Sequence, residues 1–303
     1  ELLNIIGEYH HRYQHFNKNM NQILDHYKDQ IQKVMSNIEI FNIFQNNKKI
    51  IHFLLQNGTI TISEEIYNKM IQKVENNEEK YWQFFIPEIK KFFEEEEEKG
   101  KILKKPNFQE DPNFTTNYEE KRQEGENDSF ICSLIRQDSV EEFITYLNRY
   151  NISPSSQISP SVFETNQLLN DKKNTSLIEY SAFFGSIKIF RYLFMNNVEL
   201  TSSLWLYAIH SNNAELIHFL ESNNVPPPKF KNKKEEEKVD DSNKNYFRCL
   251  IESIKCHHND IAKYIEDNLL DQSEIDSRKE EIVFNCLKYH NYSFMQVEAI
   301  IYN

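Results

Sequence analysis

The chain is 303 residues long, 39% hydrophobic and 27% charged, which allows one elongated domain or two compact ones and excludes wholesale disorder. A formal charge of −12 disfavours nucleic acid and anionic lipid as main partners, because phosphate recognition needs clustered Lys and Arg. The five glycines stand apart, so no loop can cradle phosphate; no apolar run is long enough to span a membrane; and four cysteines without a CxxC pair suit reduced thiols in a cytosolic protein.

Residues 8–40 read as helical, since Ile23, Leu24, Tyr27, Ile31, Val34 and Met35 are spaced for one face. In the cluster His10-His11-x3-His15, His11 and His15 stand one helical turn apart and could share a metal. No acidic residue lies beside them at a zincin-like spacing, so neither metal nor cofactor is expected. The run SNIEIFNIFQNNKKIIHFLL (36–55) reads as two short helices around the polar turn Asn46-Asn47. It makes residues 1–98 an N-terminal helical region carrying one degenerate repeat. Glu94 to Glu98 are expected to be a solvated helix end or loop, and the polar stretch 99–128, with two prolines, a linker.

Residues 129–303 form the expected repeat domain, interrupted by insertions at 153–174 and 226–245. FITYLN (143–148), IFRYLF (189–194), LIHFLE (216–221) and IAKYIE (261–266) share with IIHFLL (50–55) the pattern apolar-apolar-x-apolar-apolar, one buried stripe of a helix. The middle residue x is His52, Thr145, Arg191, His218 or Lys263 and is expected to point outward. Each segment runs into a residue that tolerates left-handed backbone: Asn57-Gly58, Asn151, Asn196-Asn197, Asn223-Asn224 or Asn268. Each is preceded by a polar turn, such as Asp138-Ser139, Gly185-Ser186, Asn212-Asn213 or His257-His258, and before the turn by another apolar stretch. A single helix pair cannot cover its own apolar face, whereas stacked pairs can. The expected fold is therefore all-α, a helix-pair solenoid preceded by the N-terminal helical region.

FFGSIKIFRYL (183–193) resembles the ankyrin consensus G-H-x-E-I-V-x-x-L, with Gly185 at the turn, Ser186 in the His place and Ile189 in the Ile place. In CHHNDIAKYI (256–265), His258, Asp260 and Ile261 take the His, acidic and Ile places. Together with GENDSFICSLIRQDSVEEFITYLNR (125–149) and LTSSLWLYAIHSNNAELIHFLE (200–221), most of the chain resembles an ankyrin-like family expanded in protists, in which a domain of unknown function precedes the repeats. The TPLH tetrad is absent, which leaves open whether β-hairpin fingers link the repeats.

The resemblance implies that the two residues before each turn face the concave, partner-docking side. At matching positions these are Phe44 and Gln45, Phe183 and Phe184, His210 and Ser211, and Lys255 and Cys256. Phe183 and Phe184 are the sharpest candidates, since aromatic anchors carry much interface energy; the alternative is that one or both pack against the next pair. Cys256-His257-His258 could suggest thiol or metal chemistry, but adjacent turn residues rarely face one another, and the repeat assigns the histidines to bracing the turn. The expected function is a non-catalytic protein-interaction scaffold or adaptor, in the cytoplasm or on the cytoskeleton. The alternatives are a structural subunit of a larger assembly and, behind it, a metal- or Cys/His-dependent enzyme. The protein partner is not named by any residue.

Overall fold

Two Ser-x-x-Glu tetrads open helices by the same device. At Ser36 the Glu39 carboxylate accepts from the Ser36 backbone N–H at 2.8 Å, and at Ser176 the Glu179 carboxylate does so at 3.0 Å. The Ser176 hydroxyl in turn accepts from Glu179 N–H, which closes a reciprocal capping box. The computed structural model describes residues 3, 17–75, 81–101, 117–170, 175–228 and 246–295, and these are all-α. The only β pairing among them is an isolated antiparallel bridge between Gln157 and Ser176. No described helix is long and apolar enough to cross a membrane.

The chain divides into two compact units, residues 1–128 with 160–173, and residues 129–159 with 174–303. The first unit contains α1 (Asn17–His26), α2 (Lys28–Val34), α3 (Asn37–Phe44), α4 (Lys48–Gln56), α5 (Glu64–Glu75), a 3-10 turn (Trp82–Phe85), α6 (Ile86–Glu98) and α7 (Tyr118–Glu124). Its core gathers Phe41, Phe44, Ile50, Leu54, Met70, Phe84, Phe85 and Phe93, with Phe163 arriving from the returning segment. Two expectations change here. The stretch 99–128 is more than a linker, because α7 lies within it and belongs to this unit. Residues 160–173 likewise serve the first unit rather than the second: Lys48 donates to Val162 O and Glu164 O, and Glu164 accepts from Asn127 N–H. The short helix Gln167–Asn170 (α10) lies in this segment.

The acidic run 94–98 is the C-terminal half of α6, exposed except at Glu96, which is buried and paired with Lys99 and Lys101, each at 2.7 Å. His52 also departs from expectation. It is only 4% exposed, 3.2 Å from Glu119 and edge-on to Phe84. Polar α7 does the covering: Arg122, fully buried, reaches Glu88 at 2.5 Å and spreads its guanidinium over Phe84 and Tyr118.

The second unit contains α8 (Phe130–Arg136), α9 (Val140–Tyr150), α11 (Leu177–Phe184), α12 (Ile187–Met195), α13 (Leu204–His210), α14 (Ala214–Ser222), α15 (Phe247–Cys256), α16 (Asn259–Leu269), α17 (Gln272–Ser277) and α18 (Lys279–Lys288). Four pairs follow: α8 with α9, α11 with α12, α13 with α14, α15 with α16. The first helices of the pairs pack in succession, α8 on α11, α11 on α13, α13 on α15 and α15 on α18. Each first helix ends in left-handed backbone at Asp138, Gly185, Asn212, His257 or, after α18, His290. At four of these turns the left-handed N–H returns to the carbonyl three residues back and the next N–H to the one five back, as at Gly185 to Ala182 and Ser186 to Ser181. Second helices stop in the same way at Asn151, Asn197 and Asn224, as Gly58 does after α4. Asn268 does not: it lies inside α16 and its side chain bonds back to Tyr264 O.

The duplicated tetrapeptide occupies the same register in both copies. Asn47 caps α4 and Asn213 caps α14, each four residues before the Ile of Ile-His-Phe-Leu. The surroundings differ: His52 is buried, whereas His218, Arg191 and Thr145 are exposed and Lys263 is half-buried. Residues 153–159 stay with the second unit through Ile158 N–H to Thr175 O and Leu177 N–H to Ser156 O. Of the expected insertion at 226–245, residues 229–245 lie outside the described residues.

Candidate functional site: a row across the first helices

The residue after each left-handed turn reaches back to the preceding pair. Ser186 Oγ donates to Ile135 O at 2.5 Å, His258 Nδ1 lies 2.7 Å from Ile209 O, and Asn291 Nδ2 donates to Ile254 O at 2.9 Å. Each acceptor stands three residues before the left-handed residue of the earlier pair, so the pairs are pinned in one register. Asn213 departs slightly and donates to Gly185 O at 3.3 Å. His257 Nε2 lies 2.7 Å from Tyr289 O. The rings of His257 and His258 are thus engaged with backbone carbonyls as turn braces.

The pinning aligns the ends of the first helices, and their side chains form a connected row. Arg136 on α8 donates to the Tyr180 hydroxyl on α11 at 2.9 Å, and the Tyr180 ring lies 4.7 Å from that of Phe184. Phe183 stacks on His210 of α13, with ring centroids 5.7 Å apart and planes 28° from parallel. His210 Nε2 is 3.1 Å from Glu252 Oε1 on α15, and Lys255 Nζ is 3.2 Å from Glu252 Oε2. Lys255 also sits over the Tyr289 ring, just after α18, at 5.3 Å.

Of the eight residues singled out from sequence, Phe183, Phe184, His210, Lys255 and Cys256 meet in this row, and Ser211 flanks it, its hydroxyl donating to Ala208 O. Phe183 is 3% exposed and therefore packs, while Phe184 is the half-exposed member of the pair. Phe44 and Gln45 belong to the first unit, where Phe44 is core and Gln45 donates to Asn42 O. Cys256 is buried, as are the other three cysteines. The cluster His10, His11 and His15 lies outside the described residues. Sequence reasoning missed Glu252, although ESIKC (252–256) carries a signal: Glu252 and Cys256 are four apart and share one helix face.

Electrostatics concentrate at His210. Burial disfavours its imidazolium, but the Cys256 sulfur and the Glu252 carboxylate outweigh that and push it up to about 9. Burial drives the Cys249 thiol, elsewhere on α15, well above its usual range. The geometry defines a class, an all-α protein of pinned helix pairs with a mixed aromatic and charged row across them. No protein-family model matches the chain, and neither curated proteins nor solved structures give a match.

Proposed function

We propose that the chain is a non-catalytic protein-interaction module, with the second unit an ankyrin-like helix-pair solenoid that docks a protein partner along the row. The observation that carries this reading is the continuity of the row from Arg136 through Phe184 and His210 to Lys255 and Tyr289, drawn from four successive first helices and the residue after α18. Pinned pairs offer a stiff surface whose outward side chains are free to match a partner, and specificity lies in those side chains. Phe184 supplies an aromatic anchor, while Arg136, Glu252 and Lys255 supply mixed charge around it. The formal charge of −12 disfavours a nucleic-acid partner.

The test compares affinity capture after cross-linking by the wild-type chain and by the double variant Phe184→Ala, Lys255→Ala. Both residues are half-buried, so the variant should fold, which circular dichroism checks. The wild type is expected to recover a defined protein that the folded variant loses. The same protein recovered equally by both rejects the row as the docking surface.

A further inference from the structure

His210 closes α13, while Glu252 and Cys256 sit one turn apart on α15. Their donor atoms, one imidazole nitrogen, one carboxylate oxygen and one sulfur, all lie within 4.8 Å of one another. We propose that His210, Glu252 and Cys256 are the three protein ligands of a divalent transition-metal site, zinc in the first instance, which clips the third helix pair to the fourth.

Donor chemistry selects the ion. A thiolate, an imidazole and a carboxylate together suit a borderline ion such as zinc, whereas calcium and magnesium take oxygen. Bond lengths of about 2.0–2.3 Å place tetrahedral ligand atoms roughly 3.3–3.8 Å apart. The longest present separation therefore needs to close by only about an ångström, within reach of small side-chain rotations. Charge balance points the same way. One thiolate and one carboxylate neutralise a dication, so the filled site carries no net charge where the His210 and Cys256 side chains are almost entirely shielded from water. Binding releases to solvent whatever protons His210 and Cys256 hold, since the ligands are a neutral imidazole and a thiolate.

The surroundings already orient the ligands. Phe183 stacks on the His210 ring, and Lys255 holds the second Glu252 oxygen at 3.2 Å. A cysteine nucleophile on the same three residues is a poorer fit, because Cys256 is 1% exposed and no substrate carbonyl could reach its sulfur. A three-ligand set leaves a fourth position for water, and burial suits that position to a structural role.

Cobalt(II) titration of the full chain, freed of metal by chelation, tests the site. One equivalent should produce a sulfur-to-cobalt charge-transfer band with tetrahedral d–d absorption. Cys256→Ser should abolish the charge-transfer band, and Glu252→Gln should weaken cobalt binding by roughly tenfold or more. The triple variant His10→Ala, His11→Ala, His15→Ala should leave the band intact. Absence of the band in the folded wild type, or its survival in Cys256→Ser, overturns the proposal. X-ray absorption of the zinc-loaded wild type needs no variant: one sulfur beside nitrogen and oxygen neighbours is expected, and a shell without sulfur overturns it. Neither readout involves a protein partner, so failure here leaves the docking row standing, and the reverse holds.

Discussion

Ser186 is a small side chain whose hydroxyl, 2% exposed with its residue, ties one helix pair to another through Ile135 O. Ser186→Ala leaves that buried carbonyl without the bond and should cost about 1–2 kcal/mol, read as a lower urea midpoint for the second unit. An unchanged midpoint would show that the pin contributes nothing. In the first unit two buried groups titrate in opposition. Burial, then the Arg122 charge, holds His52 down to about 4 from its usual 6.5. Between those values the unfolded chain takes up a proton that the folded chain refuses, so His52 adds stability as pH rises from 4 to 6.5. Burial raises Glu164 to about 7 from 4.5, so its contribution is present below pH 4.5 and lost as pH rises through 7. The slopes offset each other in the wild type between pH 4.5 and 6.5. Glu164→Gln removes the falling one, and thermal unfolding of the first unit should then show stability climbing across that window; a wild-type slope would exclude Glu164 as its source. Neither burial was legible in the sequence. His52 sits at a position that is solvent-facing in its twin, His218, and its cover comes from YEEKRQE (118–124), a segment with almost no apolar residues to announce that it packs.

At the level of helices, what local chemistry decides was legible. The five apolar stripes and the Asn stops each need only a few consecutive residues, and the structure places helices at all five stripes. Asn197 illustrates the stop: it is exposed, its φ is 59°, and its N–H returns to Phe194 O. Asn197→Gly should hold stability, whereas Asn197→Val should cost about 1–2 kcal/mol, because a β-branched side chain is strained in left-handed backbone. Equal denaturation midpoints for the two variants would contradict a conformational role. Asn268 was misread for a physical reason. Asn196 and Asn223 make the same bond to the carbonyl four residues back as Asn268 does to Tyr264 O, but each is followed by an Asn in left-handed backbone, whereas Asn268 is followed by Leu269 and Leu270 and α16 runs one residue further to an extended cap. The candidate site was half legible: turn positions pointed to His210 and Cys256, but pairing them with Glu252 depends on how α13 lies against α15, which no single segment encodes.

For the whole molecule, the two units share the chain in alternation, and this was the least legible feature. Residues 160–173 have no strong helical periodicity, and they bind the first unit through scattered polar bonds that no short motif announces: Thr165 N–H and hydroxyl to Gly125 O, Ser161 to Asp128, Lys48 to two carbonyls. The apolar contribution is local, chiefly the Phe163 ring against Tyr118 at 5.2 Å. A fragment of residues 1–128 should therefore melt several degrees below the first unit of the intact chain, and a peptide of residues 160–173 added in excess should recover part of the difference by mass action. A fragment as stable as the parent would mean that the returning segment is a passenger.

The same alternation bears on biosynthesis. The first unit is not complete when residue 128 has been made; it waits for residue 173, another 45 residues (173 − 128). At translation rates of about 5–20 residues per second, that is a delay of roughly 2–9 s. During it α8 and α9 are made while Tyr118 still lacks the Phe163 ring and Asn127 N–H the Glu164 carboxylate, so a chaperone that shields this surface on the ribosome would meet the first unit before its last contacts form.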